Sequence, residues 1–186
     1  MKLKMLTTQL TGHLTQVSES AAYDIEETAR LLAQVLPGEG TVYFVTVDEL
    51  TAIEAQALSS DEPFQFAKRF ESIEEVTHLD RVLLIGKDPN DERLLTIARQ
   101  LNEAFIPFAA IANGERSADN PLADLAYTYV SLNVKRGLLP NEAFERVVHP
   151  YLWTALYYYD WIKLLFDEIA REENDDDFEI PASPFA

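Results

Sequence analysis

Leu3, Leu6, Leu10, Leu14 and Val17 recur every three or four residues, and after a polar interval Ile25, Ala29, Leu32 and Leu36 do the same. That spacing keeps an apolar stripe in line along a helix and predicts two amphipathic helices at the start of the chain. Pro37-Gly38-Glu39-Gly40 marks the end of the second, because proline cannot continue a helix and glycine favours the exit. The period then changes. Thr41-Val42-Tyr43-Phe44-Val45-Thr46-Val47 is an unbroken β-branched and aromatic run, as expected of a short strand buried on both faces. A helical pattern over 48–58, a polar stretch containing Pro63 and a second apolar run, Arg81-Val82-Leu83-Leu84-Ile85-Gly86, come next. The cycle repeats with a helix over 91–104, a strand over 106–112, a turn at Asn113-Gly114 and a fourth apolar run over 126–132 before Gly137.

Strands alternating with helices predict an α/β fold, a three-layer αβα sandwich around a doubly wound, mostly parallel, flavodoxin-like sheet. From Pro140 to about residue 171 the chain reads as a long C-terminal helical segment, bent or restarted at Pro150, where proline removes a hydrogen bond and crowds the preceding turn. Residues 1–170 are therefore expected to form one domain. Residues 171–186 carry six acids and one base, which puts −5 of the chain's −17 on this segment; it reads as an acidic, solvated, disordered tail. In an open α/β sheet, ligands bind outside the carboxyl ends of the strands, near the point where strand order reverses. The candidate loops are 46–50, 86–91, 113–117 and 133–137.

Composition narrows the chemistry. With 15 Lys+Arg against 32 Asp+Glu and no basic stripe, the chain repels a phosphate backbone, so no nucleic-acid partner is expected. The absence of Cys removes disulfides, thiolate zinc sites, iron–sulfur clusters and thiol catalysis. His13, His78 and His149 are dispersed and none lies four residues from another, so no metal site or other cofactor is expected. Six glycines form no nucleophile elbow, phosphate-binding loop or dinucleotide fingerprint. Thr and Gln, rather than an apolar run, follow Met1-Lys2-Leu3-Lys4-Met5-Leu6. That start predicts a cytoplasmic protein with no signal peptide and no membrane span.

The order of N-terminal helices, then Ile25-Glu26-Glu27-Thr28-Ala29-Arg30-Leu31-Leu32, then Gly40-Thr41-Val42-Tyr43-Phe44 resembles the start of a sugar isomerase (SIS) domain, in particular its phosphoheptose isomerase-like branch. Asp80-Arg81-Val82-Leu83-Leu84-Ile85-Gly86, a helix, and Ile106-Pro107-Phe108-Ala109-Ala110-Ile111-Ala112-Asn113 resemble that family's second segment. The likeness covers about residues 1–170 and is one of hydrophobic order; it extends to an uncharacterised Firmicute family with the same fold. It implies a sugar-phosphate ligand, aldose–ketose isomerisation and a homodimer. The family's Gly-x-Gly-x-Ser turn corresponds here to Thr46-Val47-Asp48-Glu49-Leu50, and its Ser-x-Ser-Gly-x-Thr loop to Gly86-Lys87-Asp88-Pro89-Asn90-Asp91, so the phosphate-ligating hydroxyls are absent. The family's catalytic Glu falls by counting near Ser60, beside Asp61 and Glu62, and His149 is the counterpart of its catalytic His.

The substituted loops have a physical reading of their own. Asp88-Pro89-Asn90-Asp91 fits a helix start with Asp88 at the N-cap and Pro89 at the first helical position, and Thr46 to Glu49 fits a capping box. Both put carboxylates where an anion would sit. Against this, Lys87, Arg116 and the pair Lys135-Arg136 place cations in strand-end loops of an acidic chain, either to hold an anion or to pair with neighbouring acids. Seven aromatics between Tyr151 and Phe166 cover more than one face of the C-terminal helix; one face packs on the sheet, and a second fits a homodimer contact. The expected function is binding of a sugar phosphate or related carbohydrate derivative with weak or lost catalysis. Thr46, Lys87, Asn113 and Arg116 are the ligand-binding candidates, and His149 with Glu62 the acid–base pair. The alternative is a non-catalytic dimeric interaction or regulatory module.

Overall fold

The computed structural model describes residues 2–176, with side chains through Glu173. Helix α1 (Lys2–Ala33) is followed by β1 (Val42–Thr46), α2 (Thr51–Ser59), β2 (Ala67–Arg69), β3 (Arg81–Ile85), α3 (Glu92–Glu103), β4 (Phe108–Ala112), α4 (Pro121–Leu125) and β5 (Thr128–Ser131). A small ribbon, β6 (Leu139–Pro140) and β7 (Arg146–Val147), leads into α5 (Tyr151–Asp176).

The main sheet is wholly parallel in the order β2-β1-β3-β4-β5, the flavodoxin-like doubly wound arrangement. Its central strands read as continuous apolar runs because successive side chains point to opposite faces and both faces are covered. Val42, Phe44, Leu83, Ile85, Ala109, Ile111, Val130 and Leu132 pack under α1, α2 and α5. Tyr43, Val45, Val82, Leu84, Phe108, Ala110 and Tyr129 pack under α3 and α4. The three-layer sandwich expected from the sequence is the one observed.

The N-terminal region differs from expectation: the two helices are one helix of 32 residues. The interval Ser18-Glu19-Ser20 is polar but holds neither proline nor glycine, and buried Val17, Ala21 and Ile25 keep the four-residue spacing across it. The helix expected from Pro140 is likewise absent before Tyr151. Residues 138–148 form the ribbon instead, with the Leu138 amide donating to the Val148 carbonyl at 3.0 Å. Gly137 makes this approach possible, since a Cβ there would lie 2.4 Å from the Val147 carbonyl oxygen. Phe144 and Val148 adopt left-handed φ values of 61° and 63°, which no continuous helix allows. Helix α5 runs six residues into the segment read as a tail; the remainder, 177–186, lies outside the described residues.

Candidate functional site

Because β1 leads outward to β2 while β3, β4 and β5 extend the other way, strand order reverses between β1 and β3. The crevice outside their carboxyl ends is where such folds bind ligands. A broad open cleft of about 640 Å³ lies there, lined by Glu49 from the exit of β1, Lys87, Asp88 and Pro89 from the exit of β3, Asn113 and Gly114 from the exit of β4, and His149 and Tyr151 from the start of α5.

Lys87 is the cation of this cleft, and its charge is already engaged. Its Nζ donates to Glu49 Oε2 at 2.9 Å and lies 3.4 Å from Asp48 Oδ2. The hydrogen bond to Glu49 is the main cause that raises the Lys87 pKa, and the same bond from Lys87 is the main cause that lowers that of Glu49. Asn113 reaches the cleft with its side chain committed: Nδ2 donates to the Val134 carbonyl at 3.1 Å and Oδ1 accepts the Val134 amide at 2.9 Å. This two-way clamp ties the β4 exit to the β5 exit. His149 is exposed and its ring lies parallel to that of Tyr151, centroids 6.0 Å apart.

Three of the six candidates, Lys87, Asn113 and His149, therefore meet in one cleft. Thr46, Arg116 and Glu62 do not line it. Thr46 is buried at the end of β1 and its Oγ1 donates to Glu54 Oε2 at 3.4 Å. Arg116 folds back on the chain, where its guanidinium donates to the carbonyls of Ala123 in α4 and of Ala126 and Tyr127 just beyond it. It borders a separate cavity of about 350 Å³ between α1 and the edge strand β5, opposite Asp24. Burial raises the Asp24 pKa there, and the charge of Arg116 partly offsets this. Glu62 is exposed in the loop after α2, where its charge acts on Asp160 of α5.

The helix starts also differ from expectation. No capping box forms after β1: Val47 precedes a short 3-10 turn without a side-chain cap, Thr46 turns to Glu54, and Glu49 crosses to Lys87. After β3 the cap is Asp91, not Asp88; Asp91 Oδ1 accepts the Leu94 amide at 2.9 Å, while Asp88 Oδ1 closes a local turn on the Asn90 amide. Pro89 accordingly lies before the helix and not at its first position.

The family model described as "Domain of unknown function (DUF2529)" matches residues 1–170. The chain belongs to the DUF2529 family. It is 31% identical over 171 residues, 91% of this chain and 98% of the other, to "Uncharacterized protein YwjG" of Bacillus subtilis (strain 168). This DUF2529 chain has the fold of solved SIS proteins. Vibrio vulnificus NanR complexed with ManNAc-6P superposes at TM-score 0.63 with 12% identity, covering 98% of this chain and 71% of that one. The sugar isomerase domain of the RpiR transcription factor from Sphaerobacter thermophilus gives 0.60 with 10% identity over 95% and 97%. A phosphoheptose isomerase from Francisella tularensis gives 0.57 with 12% identity over 92% and 99%.

In the DUF2529 cleft, sequence reasoning missed Glu49 as the partner of Lys87 and Tyr151 as the partner of the His149 ring. Glu49 carried a signal, the Thr-x-x-Glu spacing, which pointed to a cap. Tyr151 carried one too, since it stands two residues past His149 in an aromatic-rich segment. Chemically, the site offers a point cation held in reserve by carboxylates, a pair of stacked rings, and one imidazole whose ring makes no hydrogen bond among the described residues.

Proposed function

We propose that this protein binds a sugar phosphate or a related anionic carbohydrate derivative in the carboxyl-edge cleft and has little or no isomerase activity. The observation that carries this reading is the convergence of Lys87, Asn113 and His149 on one cleft at the strand-order reversal. The NanR neighbour complexed with ManNAc-6P and the phosphoheptose isomerase neighbour point to the same ligand class. In this reading the stacked rings of His149 and Tyr151 cover one face of the sugar, and the anionic group takes Lys87 from Glu49. Isomerisation needs a base to move a proton between adjacent carbons and an acid at the oxygens. Glu62, the carboxylate expected to work with His149, lies away from the cleft, so that acid–base pair is not assembled.

Asp48, Glu49 and Asp88 around the cleft favour the second reading, a non-catalytic interaction or regulatory module, because they oppose a phosphate dianion. A thermal-shift screen separates the two. The panel holds N-acetylmannosamine 6-phosphate, aldose and ketose phosphates, the free sugars and inorganic phosphate. A ligand at a hundredfold excess over its Kd stabilises the native state by about 2.7 kcal/mol, which for a chain of this size is about 5–10 °C. The expected outcome is a selective rise with one sugar phosphate that Lys87→Ala removes. No rise with any member of the panel overturns the ligand reading and leaves the second.

A further inference from the structure

The cavity of about 350 Å³ between α1 and β5 carries opposite charges on its two walls. Asp24 comes from α1 and Arg116 from the loop after β4, while Ser20, Ser131 and Asn133 add neutral hydrogen-bonding groups. Exposed Glu115 also lines it. The protein itself satisfies neither of the opposed charges. Asp24 is half-buried yet makes no hydrogen bond and no ion pair among the described residues. Burial holds its pKa up, and the charge of Arg116 acts on it from beyond ion-pair distance. On the guanidinium, Nε and Nη2 donate to the carbonyls around the end of α4, and Nη1 makes no hydrogen bond among the described residues.

The two charges are held apart because each is fixed to its own wall. Arg116 is pinned by those three carbonyls, and its loop is held from below. The Tyr129 hydroxyl lies 3.0 Å from the carbonyl oxygens of both Asn113 and Gly114, and Asn120 Nδ2 donates to the Glu115 carbonyl at 3.0 Å. On the other wall Ala21, Ile25 and Thr28 are buried, and Thr28 Oγ1 bonds Thr128 Oγ1 at 3.0 Å, which fastens the Asp24 turn of α1 to the sheet. A carboxylate withdrawn from water without a partner is costly, and such a group in a cavity marks a candidate ligand site.

The geometry points to a free α-amino acid as the occupant, its ammonium on Asp24 and its carboxylate on Arg116 Nη1. A carboxylate only accepts and a guanidinium only donates, so a dipolar ligand answers both walls at once through charge-assisted hydrogen bonds. A simple anion would face Asp24 and Glu115, and a simple amine would leave Arg116 unanswered. The volume is at the small end of ligand pockets, which suits a single amino acid. Glu115 disfavours an acidic side chain, so the ligand's side chain is neutral or basic. This inference does not rest on the sugar-phosphate reading of the Lys87 cleft.

Thermal shift of the full chain with each of the twenty amino acids at about 10 mM, followed by calorimetric titration of those that act, tests it. The expected result is a rise of about 5 °C with one or a few neutral or basic amino acids, and none with aspartate or glutamate. The matching amine without the carboxylate, and the matching acid without the ammonium, are each expected to bind at least about thirtyfold more weakly. These two probes test both contacts without altering the protein. Asp24→Asn keeps the side chain's shape and removes the unpaired charge. It is expected to weaken binding about ten- to a hundredfold while the Tm of the free protein stays level or rises. No rise with any amino acid overturns the inference. So does a bound amino acid whose affinity Asp24→Asn leaves unchanged, and so does an amine that binds as tightly as its parent amino acid, which would show a site for cations alone.

Discussion

The exits of β1 and β3 are neighbours, since the two strands are paired residue for residue and each leads into a helix on the rim of the cleft. They are closed in opposite ways. After β3, the segment closes itself with a turn held by Asp88 and a cap from Asp91. After β1, no side chain caps the turn, Asp48 sits at a left-handed φ of 53°, and Glu49 finds its partner 38 positions away on Lys87. An exit closed by its own residues stays formed whatever happens beside it. The β1 exit has the backbone bonds of its short turn and a Thr51 hydroxyl on the Asp48 carbonyl, but its acidic side chains are tied to a neighbouring loop, and anything that competes for Lys87 releases them.

The largest test of this contrast is Gly86→Ala, which strikes both exits at once. The added Cβ would stand 2.5 Å from Leu94 Cδ1 and 3.0 Å from Val47 Cγ2. Leu94 is fully buried and Val47 nearly so, so neither can yield freely, and a loss of about 1–3 kcal/mol is expected in denaturant unfolding. Asp91→Ala removes the self-made cap of the β3 exit and should cost about 1 kcal/mol, a fall of roughly 2–4 °C in Tm. If Asp91→Ala leaves Tm unchanged, the β3 exit is not held by its cap.

Asp48→Gly relieves the left-handed residue at the β1 exit and is expected to leave stability unchanged or raise it by about 0.5 kcal/mol. A drop of more than about 1 kcal/mol would show that the exit depends on the Asp48 side chain. The smallest effect is that of Glu49→Gln. Glu49 is lowered from an ordinary value near 4.5, so its contribution is present above that pH and is lost as pH falls through its folded value. Lys87 is raised above about 10.5, so its contribution is present below that pH and is lost as pH rises through its folded value. Both side chains are about two-fifths exposed, and the variant should change stability at neutral pH by only a few tenths of a kcal/mol. Its titration between acid and alkali should be correspondingly flatter, and an undiminished pH dependence would place the coupling elsewhere.

The sequence made the sheet's centre legible and its margins obscure, for one reason. β1, β3, β4 and β5 are packed on both sides, and covering both sides leaves an uninterrupted apolar run. β2 is three residues long, two of them exposed, so it left no periodic trace. The five residues of α4 are too few to display a helical period. Residues 141–148 contain sound helix formers and became a ribbon because packing at Gly137 outweighed that local preference. At the site, the rule for strand ends led to Lys87 and Asn113, and the SIS resemblance led to His149. Whether a side chain is free once there depends on partners such as Glu49, Val134 and Ala126, which lie 38, 21 and 10 positions away. No spacing along the chain encodes those meetings.

The brevity of β2 bears on the behaviour of this protein at high concentration. An outermost strand offers a row of unpaired amides and carbonyls onto which another molecule can build, the first step of fibrous aggregation. On the β2 side of the sheet that margin is three residues long, Ala67–Arg69, and carries the exposed cations Lys68 and Arg69, the second of them paired with Glu54. Two such margins brought together would set one Lys68 near another along a template too short to hold a strand. The acidic chain thus keeps the positive charge of Lys68 where it helps to prevent sheet growth from the β2 edge.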